Sequence, residues 1–261
     1  MSEQLPIPAI PLTGLTVLIT GATGGLGKGI ALRFASAGAN IVLHHRASPQ
    51  IASEFAETLQ EFGKSPLVVS GDIRDETACR DVVAAAVNEF GHLDALINNA
   101  GIQPVAPLEG MTVADWETVV NTNLSGTFAM TQAAASEMKS SGRGGSITHI
   151  ASVEASLPAP SHAHYAASKA GVKMHARAAA LELGPHNIRV NSISPGLIDR
   201  GDLAETWPQG RESWLAAAPL GRTGTPGDIG DACVFLASPL ARWISGHDLV
   251  VDGGMSAVPA W

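Results

Sequence analysis

Thr20-Gly21-Ala22-Thr23-Gly24-Gly25-Leu26-Gly27 follows the apolar, β-branched run that starts at Thr16 and opens a stretch of helical composition. The pattern predicts a strand over Thr16 to Thr20, a glycine turn, a helix from about Lys28 to Ala37 and a second strand from Asn40 to Leu43, a complete βαβ unit. Gly21 permits the tight turn, Gly25 lets the backbone approach a phosphate, and Gly27 permits close packing. The helix start supplies unpaired N–H groups and a favourable dipole. The spacing is Gly-x-x-x-Gly-x-Gly, a departure from the usual Gly-x-Gly-x-x-Gly dinucleotide fingerprint. A turn of this kind also occurs as plain structure and in methyltransferases, so it identifies a phosphate cradle and no more.

The same alternation continues outward. Further strands are expected at Pro66 to Ser70, Leu93 to Asn98, Gly145 to Ala151, Arg189 to Ile193 and His247 to Val251. Seven strands fit one parallel, doubly wound α/β sheet. The 261-residue chain carries no linker-like tract, so a single domain over 12–261 is expected after a flexible segment, 1–11. The stretch 196–226 lacks periodicity, holds Trp207 and Trp214, and is longer than ordinary connectors, which marks it as a lid over substrate. A net charge of −8 argues against nucleic acid or an anionic membrane as partner. No apolar run reaches a membrane span, and Met1 to Leu12 does not read as a secretory signal, so a cytoplasmic protein is expected. Cys79 and Cys233 are too few for a disulfide framework or a zinc site and read as buried thiols.

With these elements placed, the chain resembles the short-chain dehydrogenase/reductase family over nearly its whole length. The resemblance rests on the glycine turn, then Asp72-Ile73, Asn98-Asn99-Ala100-Gly101, Asn123 in Asn121-Thr122-Asn123-Leu124, Ser152 thirteen residues before Tyr165-Ala166-Ala167-Ser168-Lys169, Pro195-Gly196 and Val251-Asp252-Gly253-Gly254, in that order. It implies a Rossmann-like sheet and an NAD(P)-dependent oxidoreductase that interconverts a secondary alcohol and a ketone. By that resemblance Gly21, Thr23, Gly24, Gly25, Leu26, Gly27, Asn99, Ala100 and Gly101 line the cofactor, with Tyr165 and Lys169 also beside it. Asp72 and Ile73 flank its adenine, and Ile198 meets the nicotinamide amide. Asn123 positions a water linking Lys169 to solvent. Arg200 stands where the family often has threonine. Subunits of the family associate as homotetramers, and the apolar Val258-Pro259-Ala260-Trp261 is expected at such an interface.

Tyr165 is the only tyrosine, and Lys169 four residues later shares its helix face. An ordinary phenol titrates near 10, too high for exchange at neutral pH, and a neighbouring ammonium is expected to lower it. The phenol then donates a proton to a carbonyl under reduction or takes one from an alcohol under oxidation. Ser152, at a strand end, polarises the same oxygen. Cofactor choice is read at Leu43-His44-His45-Arg46, where no acid waits for ribose hydroxyls and Arg46 offers its fork to a 2′-phosphate. NADP is therefore expected over NAD, although Gly24 occupies a position where NADP-preferring relatives often carry a second basic residue.

Gln103, Ser152, Glu154, His162, Arg200 and Trp207 are the candidates for lining the substrate pocket. Their polarity suits a sugar, a polyol or a small cyclic ketone. Trp207 and Trp214 also suit an apolar ring. His149, His162 and His164 lack the spacing of a metal site, so no metal is expected. The alternatives are a catalytically silent dinucleotide binder, a methyltransferase and, within the enzyme class, a 3-oxoacyl thioester reductase; an intact Ser152, Tyr165 and Lys169 set favours the oxidoreductase.

Overall fold

The computed structural model describes residues 11–63 and 65–258. Seven parallel strands form one sheet in the order β3-β2-β1-β4-β5-β6-β7: β1 Thr16–Ile19, β2 Asn40–His45, β3 Leu67–Ser70, β4 Ala95–Asn98, β5 Gly145–Ile150, β6 Ile188–Pro195 and β7 Asp248–Val251. Helices α1 Gly25–Ser36, α2 Pro49–Leu59, α3 Glu76–Phe90, α4 Val113–Val120, α5 Gly126–Ser140, α6 Ala163–Leu183, α7 Leu203–Thr206, α8 Pro208–Ala217 and α9 Pro226–Ala237 complete the chain. The expected flexible segment falls mostly on residues 1–10, and the expected interface at the C-terminus mostly on 259–261, outside the described residues.

Alternate residues of the same strands feed two cores, as the two-residue period of a strand requires. Val17, Ile19, Ile41, Leu43 and Ile97 pack under Ile30 and Phe34 of α1, Phe55 of α2 and Ile229 of α9. Leu18, Val42, Leu96, Ile147 and Val190 face Val83 of α3, Met130 and Met138 of α5, and Leu183 of α6. Both faces of the sheet are thus covered, which is why its strands read as continuous apolar runs. Cys79 and Cys233 are buried and unpaired.

Three differences from the sequence reading bear on the site. α1 starts at Gly25 rather than Lys28, with Gly24 in extended conformation at its cap, so the helix begins inside the glycine turn. β2 continues through His44 and His45, both buried, because pairing with β3 runs on to His45 opposite Ser70. The segment 196–226 is not irregular throughout: α7 and α8 occupy much of it. Neither helix buries a residue fully, which left no apolar stripe to find.

Strand order reverses direction at the junction of β1 and β4, the crevice where open α/β sheets take ligands. The C-terminal ends of β1, β4, β5 and β6 all open there. α4 runs into α5 through one wide π turn, Asn121–Ser125, a distortion common at functional sites. Asn123 sits within it.

Candidate active site

The glycine turn is fixed from beneath. Gly21 has φ +62°, and a Cβ there would lie 2.9 Å from Ala100 Cα. Gly27 cannot carry a side chain either, since a Cβ would come 2.3 Å from Gly21 O. The Thr20 hydroxyl accepts from the backbone N–H groups of Asn99 and Ala100, both at 3.0 Å. Asn99 Nδ2 returns hydrogen bonds to Thr20 O at 2.9 Å and Gly21 O at 3.1 Å. The family resemblance puts Asn99 against the cofactor; its side chain is the staple joining the turn to β4.

His44 is a second support, one that the sequence reading missed. Gly21 N–H donates to His44 Nδ1 at 3.3 Å, and His44 Nε2 lies 3.0 Å from Gly71 O. Nε2 therefore carries the proton and Nδ1 the lone pair. Burial pushes this imidazole down to about 4, so it is neutral at pH 7.

No side chain caps α1, and Gly24 and Gly25 are exposed, so the N–H groups of its first turn remain open to an anion. A twelve-residue helix whose entry lacks side chains is a fitting cradle for a pyrophosphate. Thr23 and Leu26 flank it, half-buried. A methyl built on Gly25 would come within 2.7 Å of Arg200 Cδ, so the Arg200 stem lies over the turn. At the far end of the crevice, Arg46 is exposed and its charge reaches Asp72, whose carboxyl is held down to about 2 chiefly by its hydrogen bonds from Arg74. Ile73 is buried beneath. Lys28 points elsewhere, its ammonium 5.6 Å from the centre of the Phe55 ring.

Tyr165 and Lys169 both lie on α6, and Ser152 follows β5. Lys169 is buried and donates to Ile150 O at 2.7 Å, which anchors it two residues before Ser152; burial lowers it to about 8. Its nitrogen is 5.7 Å from the centre of the Tyr165 ring. The expected lowering of the phenol by Lys169 is not what the site provides. Burial pushes Tyr165 up to about 12, the Ser152 hydroxyl and Arg200 pull it down, and Glu154 pushes it up. The reason is desolvation: sequence spacing gave the neighbour's charge but not the loss of water around the phenol.

Asn123 is fully buried. Its Oδ1 accepts from Ile102 N–H at 2.8 Å, and its Nδ2 donates to Ile102 O at 2.9 Å and Ser168 Oγ at 3.2 Å. It thus ties the π turn to the loop after Gly101 and to α6. A Cβ on Gly101 would sit 3.1 Å from Asn123 Oδ1 and 3.6 Å from Lys169 Nζ, so these three positions meet. Ile198 bridges to Gly224.

Of the substrate candidates, Gln103, Glu154 and His162 come together in one hydrogen-bonded chain, and Glu154 and Arg200 are close enough to Tyr165 for their charges to act on it. Trp207 stands apart, exposed, where it lines an open cavity of about 540 Å³ with Leu197, Gly210, Trp214 and Met255. Among the described residues no group of three metal-ligating side chains converges, and no helix is long and apolar enough to cross a membrane.

A family model described as enoyl-(acyl carrier protein) reductase matches residues 21–256. An L-rhamnose 1-dehydrogenase (NAD(P)(+)) of Sphingomonas sp. (strain SKA58) is 39% identical over 248 residues, covering 94% of this chain and 97% of that one. A 3beta-hydroxysteroid dehydrogenase 1 of Eggerthella lenta is 35% identical over 252 residues, 96% and 97% of the two chains. A solved short-chain type dehydrogenase/reductase from Mycobacterium marinum superposes with a TM-score of 0.88 at 34% identity, covering 95% and 97%. The chain belongs to the short-chain dehydrogenase/reductase family. It is an NAD(P)-dependent oxidoreductase acting on CH–OH donors.

Proposed function

We propose that this enzyme interconverts a secondary alcohol and a ketone on a sugar, polyol or small cyclic substrate, with NADP preferred and Tyr165 as the proton donor and acceptor. The observation that carries the reading is the convergence of Ser152, Tyr165 and Lys169 beside the polar chain Gln103, Glu154 and His162. Bound at the glycine turn, the nicotinamide cofactor supplies or takes the hydride. The protein's part is proton management. Tyr165, protonated at neutral pH, gives its proton to the substrate oxygen in reduction and must lose it to act as base in oxidation. Ser152, the donor that already lowers the phenol, holds that oxygen. Lys169, fixed on Ile150 O, brings a positive charge to the same pocket.

Gly21, Thr23, Gly24, Gly25, Leu26 and Gly27 take the pyrophosphate, Ala100, Gly101 and Ile198 the ribose and nicotinamide side, Asp72 and Ile73 the adenine, and Arg46 the 2′-phosphate. The NADP preference is supported by the exposed Arg46 and by a β2 end that holds only histidines where an acid would repel phosphate. Among the relatives, L-rhamnose 1-dehydrogenases favour a sugar and the 3beta-hydroxysteroid dehydrogenase a fused ring. The cavity at Trp207 and Trp214 speaks for the apolar class, steroid or acyl thioester. The polar chain beside Tyr165 outweighs it because it adjoins the reacting group. A homotetramer is supported by the edge position of β7 and the exposed Leu240, Trp243 and Val250 around it.

The test is reduction of NADP⁺ and NAD⁺ across aldoses, polyols, cyclic alcohols and hydroxysteroids, with NADPH consumption on the matching ketones and 3-oxoacyl thioesters. Tyr165→Phe is expected to retain NADPH binding and to lose at least about 10²-fold in turnover. Near-normal turnover in that variant would remove Tyr165 from the chemistry.

A further inference from the structure

Two lysines one helical turn apart on α6 hold opposite ends of the segment that carries Ser152. Lys169 Nζ donates to Ile150 O at 2.7 Å, and Lys173 Nζ donates to Ser156 Oγ at 2.9 Å. Between these anchors the chain makes a single 3₁₀ turn, Val153–Ala155. Ala155 N–H donates to Ser152 O at 3.0 Å and Ser156 N–H to Val153 O at 3.0 Å, so Ser152 and Ser156 are the two ends of one small braced piece. Glu154 N–H donates to Ser152 Oγ at 3.1 Å, which leaves the one O–H of that hydroxyl to give away. The turn sets the direction of Ser152, and the hold on Ser156 sets the turn.

Lys173 is fixed in turn from its other side. Its ammonium lies 2.9 Å from Asp248 Oδ2 at the start of β7. Asp248 Oδ1 accepts from the hydroxyls of Ser192 at 2.7 Å and Ser194 at 2.9 Å, and Oδ2 accepts from Ser194 at 3.0 Å. Both serines are buried, on the face of β6 that Val190 turns toward α6. A shielded ion pair contributes little net stability, because desolvation offsets the attraction. This one joins three elements that meet at the crevice: α6, the end of β6 ahead of Gly196, and the turn after β5.

We infer that Lys173 is a positioning residue of the reaction: braced against Asp248, it holds Ser156 and through the turn aims the Ser152 hydroxyl at the Tyr165 phenol and the substrate oxygen. The inference rests on the alcohol-to-ketone reading of the site, in which Ser152 serves that oxygen. Ser152, Glu154 and Arg200 act on the phenol, with the Lys169 ammonium 5.7 Å from its ring centre and the His162 ring edge-on at 6.1 Å. Ser152 and Glu154 both ride on the turn. The Glu154 carboxylate has supports of its own in Gln103 and His162, so Ser152 is the group that depends on the tether. A slight misplacement of a group at the reacting centre is costly even when its cause lies at a distance.

Tyr165 is the only tyrosine of the chain, so protein labelled with ¹³C at tyrosine Cζ gives one resonance that reports on the phenol without a substrate. Spectra are compared at pH 7 with NADP⁺ present, and kcat is read on the alcohols of the panel above. Ser156 is exposed, so Ser156→Ala removes the tether and spares the fold. It is expected to move the resonance in the same direction as Ser152→Ala and to lower kcat about tenfold with KM for NADP⁺ unchanged. Lys173→Met combined with Asp248→Asn, which strands no carboxylate, is expected to do the same, and Lys173→Arg to stay close to wild type. Once Ser152 is replaced by alanine, Ser156→Ala should add nothing, because the tether then has nothing to aim. A wild-type spectrum and kcat in Ser156→Ala, or losses that simply add in the Ser152→Ala, Ser156→Ala double variant, overturn the role of Lys173 while leaving the oxidoreductase reading intact. Wild-type resonance and turnover in Ser152→Ala overturn that reading of the site itself.

Discussion

Acidification should destabilise this protein through His44, by an amount the structure sets. The unfolded imidazole titrates at its ordinary 6.5 and the folded one at about 4. The depressed base binds a proton more readily in the unfolded chain, so its contribution is constant above pH 6.5 and stability is lost as pH falls from 6.5 toward 4. At about pH 5 the loss from this residue is about 2 kcal/mol, rising to ~3 kcal/mol below pH 4. The molecular event is specific: a proton on Nδ1 points at the Gly21 N–H it now accepts from, so the glycine turn loosens with the fold. Buried His149, pushed down to about 3 by desolvation, adds a fall of the same sign. A double comparison isolates His44. Urea unfolding of wild type and His44→Gln, at matched protein concentration and at pH 7 and pH 5, should show a gap between the two pH values that is about 2 kcal/mol smaller in the variant. His149 and the surface groups are common to both proteins and cancel. An equal gap would show that His44 is not held neutral by the fold, and the tautomer assigned from its two contacts would fall with it.

Arg46→Ala should weaken NADPH binding at least tenfold and NADH binding little, because only NADPH brings a phosphate to the guanidinium; equal losses by fluorescence titration would take cofactor choice away from Arg46. Amide exchange across 199–211 should be rapid in the free protein and slow when cofactor and an unreactive substrate analogue are added together, since α7 and α8 bury no residue fully; strong protection in both states would make the segment a connector and not a lid. Trp243→Glu, at a residue 96% exposed in the loop leading to the edge strand β7, should lower the mass measured by light scattering from that of the proposed tetramer, and a tetramer that persists would place the interface elsewhere.

What could be read from the chain was what is local. The glycine turn declares itself within eight residues, and the Tyr165 and Lys169 pair comes from a four-residue helical step. The strands were legible because both sheet faces are covered and their residues are apolar throughout. His44 was not, since a histidine at a strand end looks like the start of a loop until pairing with β3 shows it buried under the turn. Thr20 escaped for the same reason: its hydroxyl works across β1 and β4, whose adjacency belongs to the topology. The Tyr165 phenol shows a different limit. Its neighbours' charges were visible, while the desolvation that outweighs them depends on everything packed around it. Gln103, Glu154 and His162 lie 51 and 8 residues apart along the chain and read there as separate polar residues; only the fold joins them.

Arg200 connects the two halves of the site. Its aliphatic stem fills the space above Gly25, and its charge is felt at Tyr165. A phosphate brought to the turn, as proposed, needs the space that stem holds, because close approach to the backbone is what a glycine there permits. The backbone on either side of Arg200 is tied to the start of α7, where Asp199 Oδ1 accepts from Gly201 N–H at 2.8 Å and Leu203 N–H at 3.4 Å. A guanidinium on that stem is well placed beside an anion at the turn. Where a threonine would offer one hydroxyl and no bulk, the arginine sets its stem over the turn and its charge within reach of the phenol, so a single side chain serves both halves of the site.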